Sequence, residues 1–103
     1  MAILALITHP EITKSHYEAV RKEVKWESHF PEGAVLHVAG FGEKGGLHVV
    51  DVWESKDALD KFFKDRLGPA LQKLKVPQPA VEVYPVHNAN AFAAMDRFKV
   101  KGR

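Results

Sequence analysis

Residues Ala34–Glu54 read AVLHVAGFGEKGGLHVVDVWE. Two runs with strand-forming character, Ala34–Phe41 and Leu47–Glu54, flank Gly42-Glu43-Lys44-Gly45-Gly46. Glycines supply the positive backbone angles of a tight turn, so the runs are expected to pair as an antiparallel hairpin. With a three-residue loop, Glu43–Gly45, Phe41 faces Leu47 and His37 lies opposite Asp51. A two-residue loop shifts the register and removes that facing. Strand side chains alternate between faces, which divides the hairpin into two sets. One holds Leu36, Val38, Gly40, His48, Val50 and Val52, and is expected on the helix side. The other holds Val35, His37, Ala39, Phe41, Leu47, Val49, Asp51 and Trp53. Both are largely apolar, whereas a sheet with one wet face shows polar residues on that side. Helices cover only one face, so the second needs another partner, most simply a second copy of the chain.

Upstream, Ala2–Thr8 is a short apolar run that reads as a buried strand, broken by His9-Pro10. From Thr13 to about Glu27 the period becomes helical, with Tyr17, Val20 and Val24 on one stripe and Thr13 as N-cap. Phe30-Pro31-Glu32-Gly33 reads as a turn. Downstream of the hairpin, Ser55 can cap a helix whose apolar face is Leu59, Phe62, Phe63 and Leu67. Gly68-Pro69 is expected to interrupt it before a second short turn through Leu71 and Leu74. Ala80–His87 forms a last strand, placed at an edge because Pro85 lacks a ladder donor. The order is β-α-β-β-α-β, the split βαβ or ferredoxin-like α+β arrangement, with two helices on one face of a four-stranded antiparallel sheet. Residues 1–88 form that domain. Residues 89–103 are a C-terminal extension, read either as an apolar helical stripe through Phe92, Met95 and Phe98 or as a loosely held arm.

The chain has 103 residues, enough for one domain. Its formal charge is +2 with no basic stripe on a folded segment, so no nucleic-acid partner is expected. Cysteine is absent, which excludes disulfides, thiol nucleophiles and Cys-based metal sites. No apolar run is of membrane-spanning length and no basic leader precedes the first strand, so a cytoplasmic protein is expected. No metal-binding His spacing, phosphate-binding Gly loop, nucleophile elbow or dinucleotide fingerprint occurs, and no metal or other cofactor is expected.

What remains is the polar intrusion in the second hairpin set. A buried His37 beside Asp51 would have its orientation fixed and its protonated form stabilised, which suits general acid–base work. Phe41, Val49 and Trp53 would line the same cavity and hold a flat apolar or aromatic molecule. His87, past Pro85 at a strand end, is the reserve base. The alternative is that His37 and Asp51 are satisfied structural groups of a non-catalytic ligand-binding or structural dimer.

Val52-Trp53-Glu54-Ser55, followed by Asp57-Ala58-Leu59 and Phe62-Phe63, resembles the third-strand-to-second-helix junction of antibiotic-biosynthesis-monooxygenase-like proteins of the dimeric α/β-barrel superfamily. Arg66-Leu67-Gly68-Pro69-Ala70-Leu71 and Val86-His87-Asn88 are similar to small uncharacterised members of that group. The resemblance implies a homodimer whose two sheets pack into a barrel, each protomer with a cavity between sheet and helices. It also implies an activity some members have: oxygenating aromatic, polyketide-like substrates without metal or flavin. The haem-degrading branch uses an Asn, a Trp and a helix-borne His, and the second helix here carries neither Trp nor His.

Overall fold

The computed structural model describes residues 1–100. Four strands, β1 (Ile3–His9), β2 (Ala34–Phe41), β3 (Leu47–Trp53) and β4 (Ala80–Pro85), form one antiparallel sheet in the order β2-β3-β1-β4. Helix α1 (Lys14–Val24) follows β1. Helices α2 (Lys56–Phe62) and α3 (Gly68–Leu74) follow β3. This is the expected βαββαβ order, with β4 at an edge as Pro85 requires.

Local chemistry places each element. The Thr13 side chain accepts the His16 N–H, and His16 Nδ1 accepts the Thr13 N–H, a reciprocal cap on α1. Lys25 turns left-handed (φ 59°) and ends that helix. The Ser55 side chain accepts the Ala58 N–H and starts α2. Gly68-Pro69 does not interrupt the second helix as the sequence suggests. Residues Phe63–Leu67 form a single wide turn, with the Gly68 N–H reaching the Phe63 carbonyl, and the helix continues into α3. Pro69 has no N–H to lose, and a Cβ at Gly68 would lie 2.8 Å from the Phe63 oxygen, so the wide turn suits both residues.

The hairpin loop has three residues. Phe41 pairs with Leu47, and the Gly42 N–H reaches the Gly46 carbonyl. His37 therefore sits opposite Asp51. At the other end the register shifts between Ala34 and Leu36, leaving Val35 as the extra residue of a bulge.

The core lies between sheet and helices. Ile3, Ala5, Ile7, Leu47, Val49 and Trp53 from the sheet pack with Val20, Val24, Leu59, Phe62, Ala70 and Leu71 from the helices. The set holding His37 and Asp51 thus faces the helices, and the set holding His48, Val50 and Val52 faces away, the reverse of the expected assignment. Alternation divides residues between faces but does not say which face the crossover covers; its right-handedness does. On the uncovered face Leu36 pairs with Val52, Val38 and Leu6 with Val50, and Leu4 with both Val52 and Tyr84. An apolar band therefore crosses all four strands. Val38, Val50 and Tyr84 in it are 45%, 40% and 47% exposed. In the extension, Ala93–Arg97 make one short 3₁₀ helix with Phe92 and Phe98 exposed on either side. Residues 101–103 lie outside the described residues.

Candidate functional site

Asp51 is the one buried charged side chain among the described residues. It projects from the inner strand β3 toward the helices and both its oxygens are occupied. Oδ1 accepts from His37 Nδ1 at 2.7 Å, and Oδ2 accepts from Trp53 Nε1 at 3.1 Å. A carboxylate held by an indole N–H needs a proton on the facing imidazole nitrogen. Nδ1 therefore carries the proton, and in the neutral ring Nε2 is then an acceptor. Nε2 is met by the Tyr17 hydroxyl at 2.7 Å. The result is one directed chain, Tyr17 O–H to His37 to Asp51, with Trp53 fixing the far end.

Two aromatic rings adjoin the imidazole and a third lies behind them. Tyr17 meets it end to end and nearly coplanar, ring centroids 6.1 Å apart, Trp26 lies 4.9 Å away, and Phe41 meets Tyr17 edge-on at 5.8 Å. Burial, with Glu27 nearby, raises the Tyr17 phenol well above its ordinary value, so the hydroxyl keeps its proton and can donate it. His37 stands on edge strand β2, and its side chain remains 34% exposed. The imidazole is thus reachable from one side and oriented from the other.

The wall that carries Trp26 is pinned from a distance. Arg66, in the wide turn between α2 and α3, donates through Nη2 to the Val24 carbonyl at 2.6 Å and the His29 carbonyl at 2.7 Å. It thereby closes the C-terminus of α1 and holds the turn on which Trp26 sits. Arg21 bonds Glu27 from the same side.

Of the expected site residues, the structure brings His37, Asp51 and Trp53 together, with Phe41 one ring further out. Val49 is 5% exposed and Trp53 3%, both within the core; Trp53 also packs on Phe62 with ring centroids 5.3 Å apart. His87 is not part of the cluster. It is exposed beyond β4, at the sheet edge opposite β2. A cavity of about 160 Å³ lies elsewhere, between the turn at Phe30-Pro31 and the helix residues Phe62 and Arg66. Sequence reasoning missed Tyr17 and Trp26. Tyr17 did carry a signal: a phenol in an otherwise aliphatic helical stripe is buried with a hydroxyl that needs a partner. Trp26 falls inside a helix expected to run to about Glu27, on the side opposite the apolar stripe; the helix instead ends at Val24, and the turn after Lys25 carries the ring to His37. Among the described residues, no group of three or more His, Cys, Asp or Glu is placed to hold a metal ion. Among them, too, no helix is long and apolar enough to cross a membrane.

No protein-family model and no curated protein matches the sequence. Solved structures do match the fold. A candidate antibiotic biosynthesis monooxygenase from Caulobacter crescentus superimposes with a TM-score of 0.63 at 17% identity, covering 84% of this chain and 91% of that one. A variant of SnoaB, a cofactor-independent oxygenase from Streptomyces nogalater, gives 0.57 at 14% identity over 85% and 93%. A protein of unknown function from Nitrosomonas europaea gives 0.63 at 12% identity over 89% and 93%. At these identities the likeness is one of architecture. The chain has the ferredoxin-like α+β fold of the antibiotic-biosynthesis-monooxygenase-like proteins.

Proposed function

We propose that this chain is a small-molecule-binding homodimer acting as a cofactor-independent monooxygenase on an aromatic or polyketide-like substrate. The observation that carries the reading is the Trp53–Asp51–His37–Tyr17 chain, a proton acceptor oriented by a buried carboxylate and ringed by aromatic side chains. The fold it shares with a cofactor-independent oxygenase supports the choice of reaction.

In this reading His37 Nε2 takes the proton of an acidic C–H or phenol, exchanging its hydrogen bond with the Tyr17 hydroxyl for one with the substrate. Asp51 stabilises the imidazolium that forms. The electron-rich anion reduces dioxygen and combines with it, and the peroxide anion takes the proton back from His37 to give a hydroperoxide. Loss of water then leaves a carbonyl, the second hydrogen coming from the same carbon in a C–H acid and being the phenolic one in a phenol, so one oxygen atom enters product and the other leaves as water. Phe41 would cover the substrate over the exposed side of His37 and exclude water, while Val49 and Trp53, buried in the core, back the strand that carries Asp51. Residues 1–88 form the working domain, 89–103 an extension, and a second copy covers the apolar sheet face.

Oxygen uptake with a panel of aromatic C–H acids and phenols tests the reading. Any turnover found should be abolished in His37→Ala with the oligomer intact; unchanged turnover removes His37 from the mechanism. One observation favours a second reading, a non-catalytic ligand-binding or structural dimer. Tyr17 and Trp26 already pack against His37, with Phe41 behind Tyr17. Calorimetric titration with the same panel separates the two, since a non-catalytic dimer binds without consuming oxygen.

A further inference from the structure

We infer that Tyr17 is a one-electron donor, giving an electron to an organic peroxyl radical while its phenolic proton crosses the hydrogen bond to His37 Nε2. Removing an electron from a phenol makes it a strong acid. In a half-buried site the resulting cation is costly unless the proton leaves at the same moment. Tyr17 has the partner this requires: His37 Nε2 lies 2.7 Å from its oxygen, in a ring whose other nitrogen lies 2.7 Å from Asp51 Oδ1. The carboxylate stabilises the imidazolium produced, and Trp53 Nε1–H keeps it in place. Burial disfavours a preformed phenolate, so the electron and proton depart together. Trp26, its ring centroid 5.5 Å from that of Tyr17, is only half-buried and links the phenol to the surface.

The molecule contains its own comparison. The other tyrosine, Tyr84, is exposed and donates to Glu82 Oε2 at 2.7 Å. A carboxylate is a weaker base than imidazole by about two pKa units, and among the described residues no second group backs it. The peroxyl radical gains one electron and becomes a peroxide anion, which takes a proton from water. Tyr17 becomes a neutral phenoxyl radical and His37 an imidazolium. A thiol or ascorbate-type reductant returns the electron, and the proton moves back from Nε2. Nothing in this step depends on the oxygenase reading.

The test is flash photolysis of a water-soluble azo initiator in aerated buffer, which exposes the intact chain to alkylperoxyl radicals, read by EPR and by the phenoxyl absorption. The expected result is a phenoxyl radical that disappears in Tyr17→Phe and persists in Tyr84→Phe. In His37→Gln, which keeps a hydrogen-bond acceptor but no base, its formation should slow by about a hundredfold. A fluorinated tyrosine at position 17, which preserves the packing, should change the EPR hyperfine pattern and so guards against a misfolded variant. A radical confined to Tyr84 or to tryptophan, an unchanged hyperfine pattern, or an undiminished rate in His37→Gln would overturn the inference.

Discussion

Asp51 shows at the scale of one residue how stability and chemistry are tied together here. Its two oxygens satisfy two donors that would otherwise be unpaired at the sheet–helix boundary. Asp51→Ala should therefore cost about 2–4 kcal/mol in urea denaturation, because Trp53 Nε1–H and His37 Nδ1–H both lose their acceptor. Trp53→Phe removes a single hydrogen bond and a little volume, and should cost less, about 1–2 kcal/mol. Tyr17 makes a pH prediction. Its folded-state value is raised above the ordinary 10.0, so the folded chain holds this proton more tightly than the unfolded chain. The stability that follows is complete below about pH 10 and declines as pH climbs from there toward the folded value. Urea midpoints measured from neutral to strongly alkaline pH should show that decline in the parent chain and a shallower one in Tyr17→Phe. The facing of His37 and Asp51 was legible in the sequence once the loop was given three residues. Their partner across the core was not, because no sequence spacing relates position 17 to position 37.

At the scale of elements, the close approaches are made by glycine. Gly33 adopts φ +84°, and a Cβ there would fall 2.6 Å from the Ala58 side chain at the start of α2. The turn into β2 is thus seated directly on the helix that follows β3. Gly33→Ala should destabilise the fold by about 1–3 kcal/mol, combining a left-handed backbone with overpacking. Adding Ala58→Gly should recover the steric part and leave the backbone part, a split that thermal melts of the three variants can measure. The elements themselves were largely readable: alternation gave the strands, periodicity and caps the helices, and Pro85 the edge. Two features were not. The wide turn before Gly68 arises because the chain continues a helix past a proline, whereas a Gly-Pro pair read locally is a stop signal. The choice of covered sheet face arises from crossover handedness, which side-chain alternation does not encode.

At the scale of the whole molecule, one sheet face is covered by helices and the other carries the Leu36–Val52–Leu4–Tyr84 band with little over it. Bands of this breadth on a folded chain mark interaction surfaces. Glu82, Thr8 and His48 lie on the same face toward its borders, an arrangement of apolar centre and polar rim common at interfaces. Val50 lies near the middle, paired with both Val38 and Leu6. Val50→Glu should therefore separate protomers while leaving the far-UV circular dichroism unchanged, since its side chain points away from the core. The sequence carried this much, because both hairpin faces are apolar. The occupant of the face is set by a second molecule, which one chain's sequence does not describe. Sedimentation velocity at micromolar concentration tests the proposed barrel most directly. A boundary at the mass of two chains, reduced to one by Val50→Glu, is the predicted result. A single 103-residue protomer as the sole species would contradict it.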